Sequence, residues 1–147
     1  EKIVGLKAKV GRVDLIEGYR VHINKIMLIC SKKSKCEDAD RIEHMIKDRY
    51  PGLSVFKSSP FQIEIMGRGI NKGSGVRYLC HKLGIDIRNS IAFGDNFNDE
   101  AMLKACMIPV VMGNAPEELK KKYPYYITDT NDNDGIYKAL VKLKLVE

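Results

Sequence analysis

The apolar and polar positions of this chain change rhythm part-way along it. Residues 1–22 carry no clear period and are read as one helix or an irregular lead-in. The run INKIMLIC (23–30) is apolar and β-branched enough for a strand. Residues 36–49 then place Ala39, Ile42, Met45 and Ile46 at helical spacing. Residues 53–57 and 61–66 read as two further strands, the second alternating Phe61, Ile63 and Ile65 inward against Gln62 and Glu64. Tyr50-Pro51-Gly52 and Ser58-Ser59-Pro60 supply turns between these elements. Adjacent strands joined by a short turn imply an antiparallel α+β module.

Gly67-Arg68-Gly69 reads as a hinge, and the pattern after it is regular. Helix 73–83, strand 90–93, helix 98–105, strand 109–112, helix 116–122, strand 125–128 and helix 134–144 follow one another. Strands alternating with helices predict parallel β-α-β units with right-handed crossovers. Short uninterrupted apolar runs such as IAF and PVVM suit strands covered on both faces. The expected fold class is therefore α/β: a partial Rossmann-like parallel sheet with helices on both faces over 67–147, plus an α+β segment over 1–66. Ligands of open parallel sheets bind beyond the carboxyl ends of the strands. Asp95, Asn114 and Asp129 each follow a predicted strand, so all three fall on that edge.

Composition narrows the classes of function. A chain of 147 residues with 44% apolar content can bury one core or two small ones. No stretch approaches the roughly 18–20 consecutive apolar residues of a membrane span, and no secretory leader is present, so a cytoplasmic protein is expected. Cys30, Cys36, Cys80 and Cys106 are widely spaced, share no metal-ligand spacing with His22, His44 or His81, and are expected as reduced thiols. The net charge is +6, but the lysines are scattered, and the run Lys120-Lys121-Lys122 falls late in a predicted helix, where cations are favoured. Neither a nucleic-acid nor a membrane partner is expected. A mild positive field suits small anionic substrates.

The chemistry concentrates in GDNFND, residues 94–99, directly after the apolar run Ile91-Ala92-Phe93. If the helix starts near Asn96, Asp95 and Asp99 project the same way. Two carboxylates without a softer ligand point to a hard cation, and magnesium takes one or two carboxylates and fills its shell with water and phosphate. Gly94 lets the backbone approach that shell, and Asn98 offers amide donors to a phosphate oxygen. A helix capped by Asp95, with Asp99 favoured by the dipole, accounts for both acids without a metal, and both readings stand. Upstream, GINKGSG (69–75) puts Lys72 at a helix start, against the dipole preference. Departures from a local rule tend to fall at functional sites, and an ammonium there could neutralise a phosphoryl group. The spacing of a Walker-type phosphate loop is absent.

GINKGSGVRYLCHKLGI, then IAFGDNFNDEAMLKAC, then PVVMGNAPEELKKKYPYYITDTNDNDGI together resemble the C-terminal half of a haloacid dehalogenase superfamily phosphatase of the Cof type, subclass IIB. The resemblance covers about residues 23–147. It implies that 67–147 form half of a haloacid dehalogenase-like core and that 1–66 are most of a cap over the site. It implies that Lys72 is the phosphate-binding lysine and Asp95 a magnesium ligand. It further implies that Asn98 contacts phosphate, that Asp99 supports the metal directly or through water, and that Asn114 lies in the loop bordering the site. The implied activity is magnesium-dependent hydrolysis of small phosphorylated metabolites, sugar phosphates by family default, through an aspartyl-phosphate.

The attacking aspartate of that family sits in an Asp-x-Asp motif after an apolar strand, and this chain has no such motif in that setting. Asp14 lacks a partner two residues on, Asp38-Ala39-Asp40 lies in a charged helical stretch, and Asp132-Asn133-Asp134 comes too late. The expectation is a fragment that is inactive alone, partnered by a second copy or complemented by a missing N-terminal segment. Alternatives are a phosphomutase, the phosphorylation domain of a P-type ion pump, and a non-catalytic domain that self-associates or binds a partner.

Overall fold

The structure, a computed structural model, describes residues 23–30, 36–123 and 126–147. The expectation for residues 1–22, and Asp14 with it, lies outside the described residues.

Strands β1 (Ile26–Ile29), β2 (Ser54–Ser59) and β3 (Gln62–Met66) form an antiparallel sheet in the order β1-β3-β2. Helix α1 (Cys36–Arg49) covers one face of it. The register pairs Leu28 with Ile63, and Val55 with Ile65 across the other side, which sends these side chains to the covered face. Ala39, Val55 and Ile63 are buried at its centre, with Ile42 and Ile46 packed against them. Met45, predicted on the same helical stripe, is instead exposed, because Ala39, Ile42 and Ile46 already fill the sheet. β2 carries a bulge: its register with β3 skips between Lys57 and Ser59, leaving Ser58 without a β3 partner.

After the Gly67–Gly69 turn the chain enters helix α2 (Lys72–Leu83), then β4 (Ile91–Gly94), α3 (Glu100–Ala105), β5 (Ile108–Val111), α4 (Glu117–Lys122) and α5 (Gly135–Lys142). β4 and β5 pair in parallel, from Ile91 opposite Ile108 to Gly94 opposite Val111. Of the strand expected over 125–128, the described residues 126–128 make a parallel bridge between Val111 and Ile127, fixed by Val111 N–H to the Tyr126 carbonyl and Thr128 N–H to the Val111 carbonyl, both at 2.9 Å. Ala92 and Val111 face a core shared with Leu103, Leu119 and Tyr123, against which Val76 and Met102 pack. Val110, on the opposite face, is also fully buried, so β5 is covered on both sides as its continuous apolar run predicts. The expected α/β fold with a parallel sheet and helices is the one observed.

Candidate active site

The carboxyl ends of β4 and β5 and the segment after Ile127 are tied into one edge. Met112 N–H donates to the Gly94 carbonyl at 2.9 Å, and Gly113 N–H to the Asp129 carbonyl at 3.0 Å. Asp95, Asn114 and Asp129 therefore gather on one rim, as the sequence pattern requires.

Beyond Gly94 the chain makes a 3₁₀ turn, Phe97–Asp99, before α3 begins at Glu100. The predicted α-helix from 98 thus starts as this tighter turn, and its N-cap is Asn96 rather than Asp95. The side-chain oxygen of Asn96 accepts from Phe97 N–H at 2.8 Å. Asp99 completes the cap by turning inward: its Oδ2 accepts from the backbone N–H of Asp95 at 3.0 Å and of Asn96 at 3.2 Å. The room it turns into exists because residue 94 is glycine. A Cβ there would lie 2.8 Å from Cβ of Asp99 and 3.0 Å from Leu103. Gly94 thus makes way for Asp99 itself.

Lys72 enters from the other side. Asn71 caps α2, accepting from Ser74 N–H at 2.8 Å while its own N–H donates to Ser74 Oγ at 3.0 Å. Lys72 is the first residue of the helix, and its ammonium is ion-paired to Oδ1 of Asp99. α2 can sit this near because Gly73 meets α3 directly: a Cβ at Gly73 would fall 2.2 Å from the Ala101 carbonyl oxygen. The helix dipole disfavours a lysine here, and the Asp99 carboxylate supplies the opposing charge. Asp99, with 4% of its surface exposed, is the one buried charged residue among those described. Both of its oxygens are engaged.

Asp95 differs. It is exposed, and its Oδ2 accepts one side-chain bond, from Asn114 Nδ2 at 3.2 Å. Asn114 Oδ1 in turn accepts from Asn131 N–H at 3.1 Å, which joins the three loops of the rim. The expectation that Asp95 and Asp99 project alike is corrected here, because the 3₁₀ turn and the cap rotate Asp99 under the loop while Asp95 faces solvent. Asn98 is half-buried and lines a crevice of about 280 Å³ with Phe56, Lys57 and Phe97. A second cavity, about 520 Å³, lies at the opposite end of β5 among Leu103, Met107, Pro109 and Tyr123, away from every polar group of the rim.

Among the described residues no group of three or more His, Cys, Asp or Glu comes together. Asp38 and Asp40 stand on α1, with Asp40 paired to Lys57, and not after a strand. Cys30, Cys80 and Cys106 are free thiols. Sequence reasoning passed over Asn71 and Asn96. Asn71-x-x-Ser74 has capping-box spacing and was legible, whereas the second contact of Asn96, with Ser58, is 38 residues away and was not.

Fold and rim together define an α/β protein with a lysine and two acids gathered at the carboxyl edge of a parallel sheet. The chain belongs to the haloacid dehalogenase-like hydrolase family, whose sequence pattern it matches over residues 8–140. It is 41% identical over 127 residues to a phosphoglycolate phosphatase of Methanobrevibacter smithii, covering 86% of this chain and 51% of the relative. It is 43% identical over 88 residues to a 5-amino-6-(5-phospho-D-ribitylamino)uracil phosphatase of Bacillus subtilis, covering 60% of this chain and 35% of that one. A crystal structure of a haloacid dehalogenase-like hydrolase from Bacteroides thetaiotaomicron superposes with a TM-score of 0.68 at 30% identity, over 90% of this chain and 48% of that protein. The chain thus spans between about a third and a half of the length of these relatives. Among the described residues no helix is long and apolar enough to cross a membrane.

Proposed function

We propose that this chain carries the lysine-and-acid half of a magnesium-dependent phosphatase centre acting on small phosphorylated metabolites, sugar phosphates among them. The observation that carries this reading is the Lys72–Asp99 ion pair beneath a loop that leaves Asp95 exposed. Lys72 presents an ammonium to a phosphoryl oxygen, Asp99 positions that lysine, and Asn98 adds an amide donor. An all-oxygen donor set fits a hard cation. Asp95 would hold the ion directly and Asp99 would support it through water or through the shared loop, since its own oxygens are taken up. Asn114 orients Asp95 and borders the phosphate position. Bound magnesium would offset the charge of the phosphoryl group.

The two named relatives act on different phosphorylated compounds, which supports the class and leaves the substrate to the segment above the rim. Residues 23–66 would serve as that cap, and residues 67–147 as the core half.

The attacking aspartate would come from a further segment, a missing N-terminal stretch or a partner chain. Two features support this. The edge of β4 away from β5 has no strand beside it among the described residues, and α2 exposes Tyr78, Leu79 and Leu83. The test is to mix the purified chain with an N-terminal half bearing Asp-x-Asp from one of these phosphatases. Magnesium-dependent hydrolysis of p-nitrophenyl phosphate is expected in the mixture and not from either part. Robust hydrolysis by the chain alone would refute the division of labour.

A further inference from the structure

One side chain joins the antiparallel module to the rim. Asn96 holds the Phe97–Asp99 turn through its oxygen, and its amide nitrogen donates to the Ser58 carbonyl at 3.0 Å. Among the described residues this is the one hydrogen bond or ion pair between residues 23–66 and residues 91–147. A crevice of about 280 Å³ opens along the same seam, beside Phe56, Phe97 and Asn98.

The carbonyl that receives Asn96 lies at the β2 bulge, on an edge strand of the sheet. Ser58 is the residue skipped in the register with β3. Its hydroxyl is buried without a hydrogen-bond partner, so the backbone carbonyl supplies the polar tie to the rim here. An irregularity in one element thus meets the free end of a cap in another, and the cap belongs to the loop that carries Asp95.

We infer that Asn96 is a positioning residue: it latches the antiparallel module onto the loop of Asp95 and Asn98 and sets the gap between them. A single neutral hydrogen bond is weak enough to open thermally, so the contact holds a preferred arrangement without locking it. This inference concerns geometry and stands whether or not the chain binds phosphate.

The test uses the full chain in solution and backbone residual dipolar couplings measured by NMR. In the wild type, couplings from residues 54–66 and from β4 and β5 should fit one alignment tensor. Asn96→Ser and Asn96→Asp both keep an acceptor for Phe97 N–H and remove the donor to Ser58. Each should leave the amide shifts of Phe97 and Asp99 near their wild-type values and make the two sets require separate tensors. Ser58→Ala keeps the carbonyl and should behave as wild type. A single tensor in both Asn96 variants, two tensors in the wild type, or decoupling in Ser58→Ala would each overturn the latch.

Discussion

Asp99 and Glu100 are neighbours in the chain and do different work. Asp99 turns inward to hold Lys72. Glu100 turns outward and ties α3 to the end of α4, its Oε1 receiving Lys104 at 2.6 Å, Lys122 at 2.7 Å and the Tyr123 hydroxyl at 3.1 Å. Partial burial opposes the charge on Glu100, but the bonds from Lys104, Lys122 and Tyr123 outweigh it and hold its pKa at about 2 instead of the ordinary 4.5. A depressed carboxylate stabilises the fold fully above the unfolded-state value and loses that contribution as pH falls through the folded-state value. The contribution should therefore be whole above about 4.5 and fade towards about 2. Solvent screening of the exposed Lys104 and Lys122 limits it to about 1 kcal/mol. Urea unfolding should show Glu100→Gln less stable than wild type at pH 7, with the gap closing as the pH approaches 2. A gap that stays constant across that range would contradict the hub. Of the residue-level pattern, Lys72 at a helix start was legible as a broken rule. Its remedy was not, because Asp99 is 27 residues away and no local spacing encodes the meeting.

Among the elements, those with continuous apolar runs or a clean period were readable in advance. α1, α2, β4 and β5 fall within one residue of their expected bounds. The misses share a cause, which is tertiary contact overriding local pattern. Met45 fits the helical stripe, but the sheet beneath is already filled. The segment over 126–128 has strand composition, and among the described residues it makes a single bridge at Ile127. The helix from 98 became a 3₁₀ turn because Gly94 leaves room for Asp99 to fold back. Helix spacing is also what delivers Lys72, and Gly73 sets it. Gly73→Ala forces a methyl onto the Ala101 carbonyl, so α2 and α3 must separate. Overpacking of this kind costs about 1–3 kcal/mol. A fall of that size in unfolding free energy is expected in chemical denaturation. Stability within a few tenths of a kcal/mol of wild type would mean that the helix contact is not set by this glycine.

At the scale of the whole molecule, two sheets of different kind meet across one loop. The antiparallel sheet reaches the rim through Ser58, and the parallel sheet reaches it through the ends of β4 and β5. Both sheet types were legible, because period-2 alternation and buried apolar runs are distinct signals. The seam between them was not, since its hydrogen bond joins Asn96 to Ser58, 38 residues away at a bulge. What the fold delivers to the rim is an ammonium, a buried acid that holds it, and an exposed acid. We propose that these form a site for a divalent ion and phosphate together.

Thermal unfolding of the chain with magnesium and inorganic phosphate, separately and together, tests that claim most directly. Ligand present at about 100 times its dissociation constant stabilises by about 2.7 kcal/mol, a rise of roughly 5–10 °C for a chain of this size. A rise with both ligands that exceeds either alone, and is lost in Asp95→Ala, is expected. No rise in the wild type, or an equal rise in the variant, would contradict it.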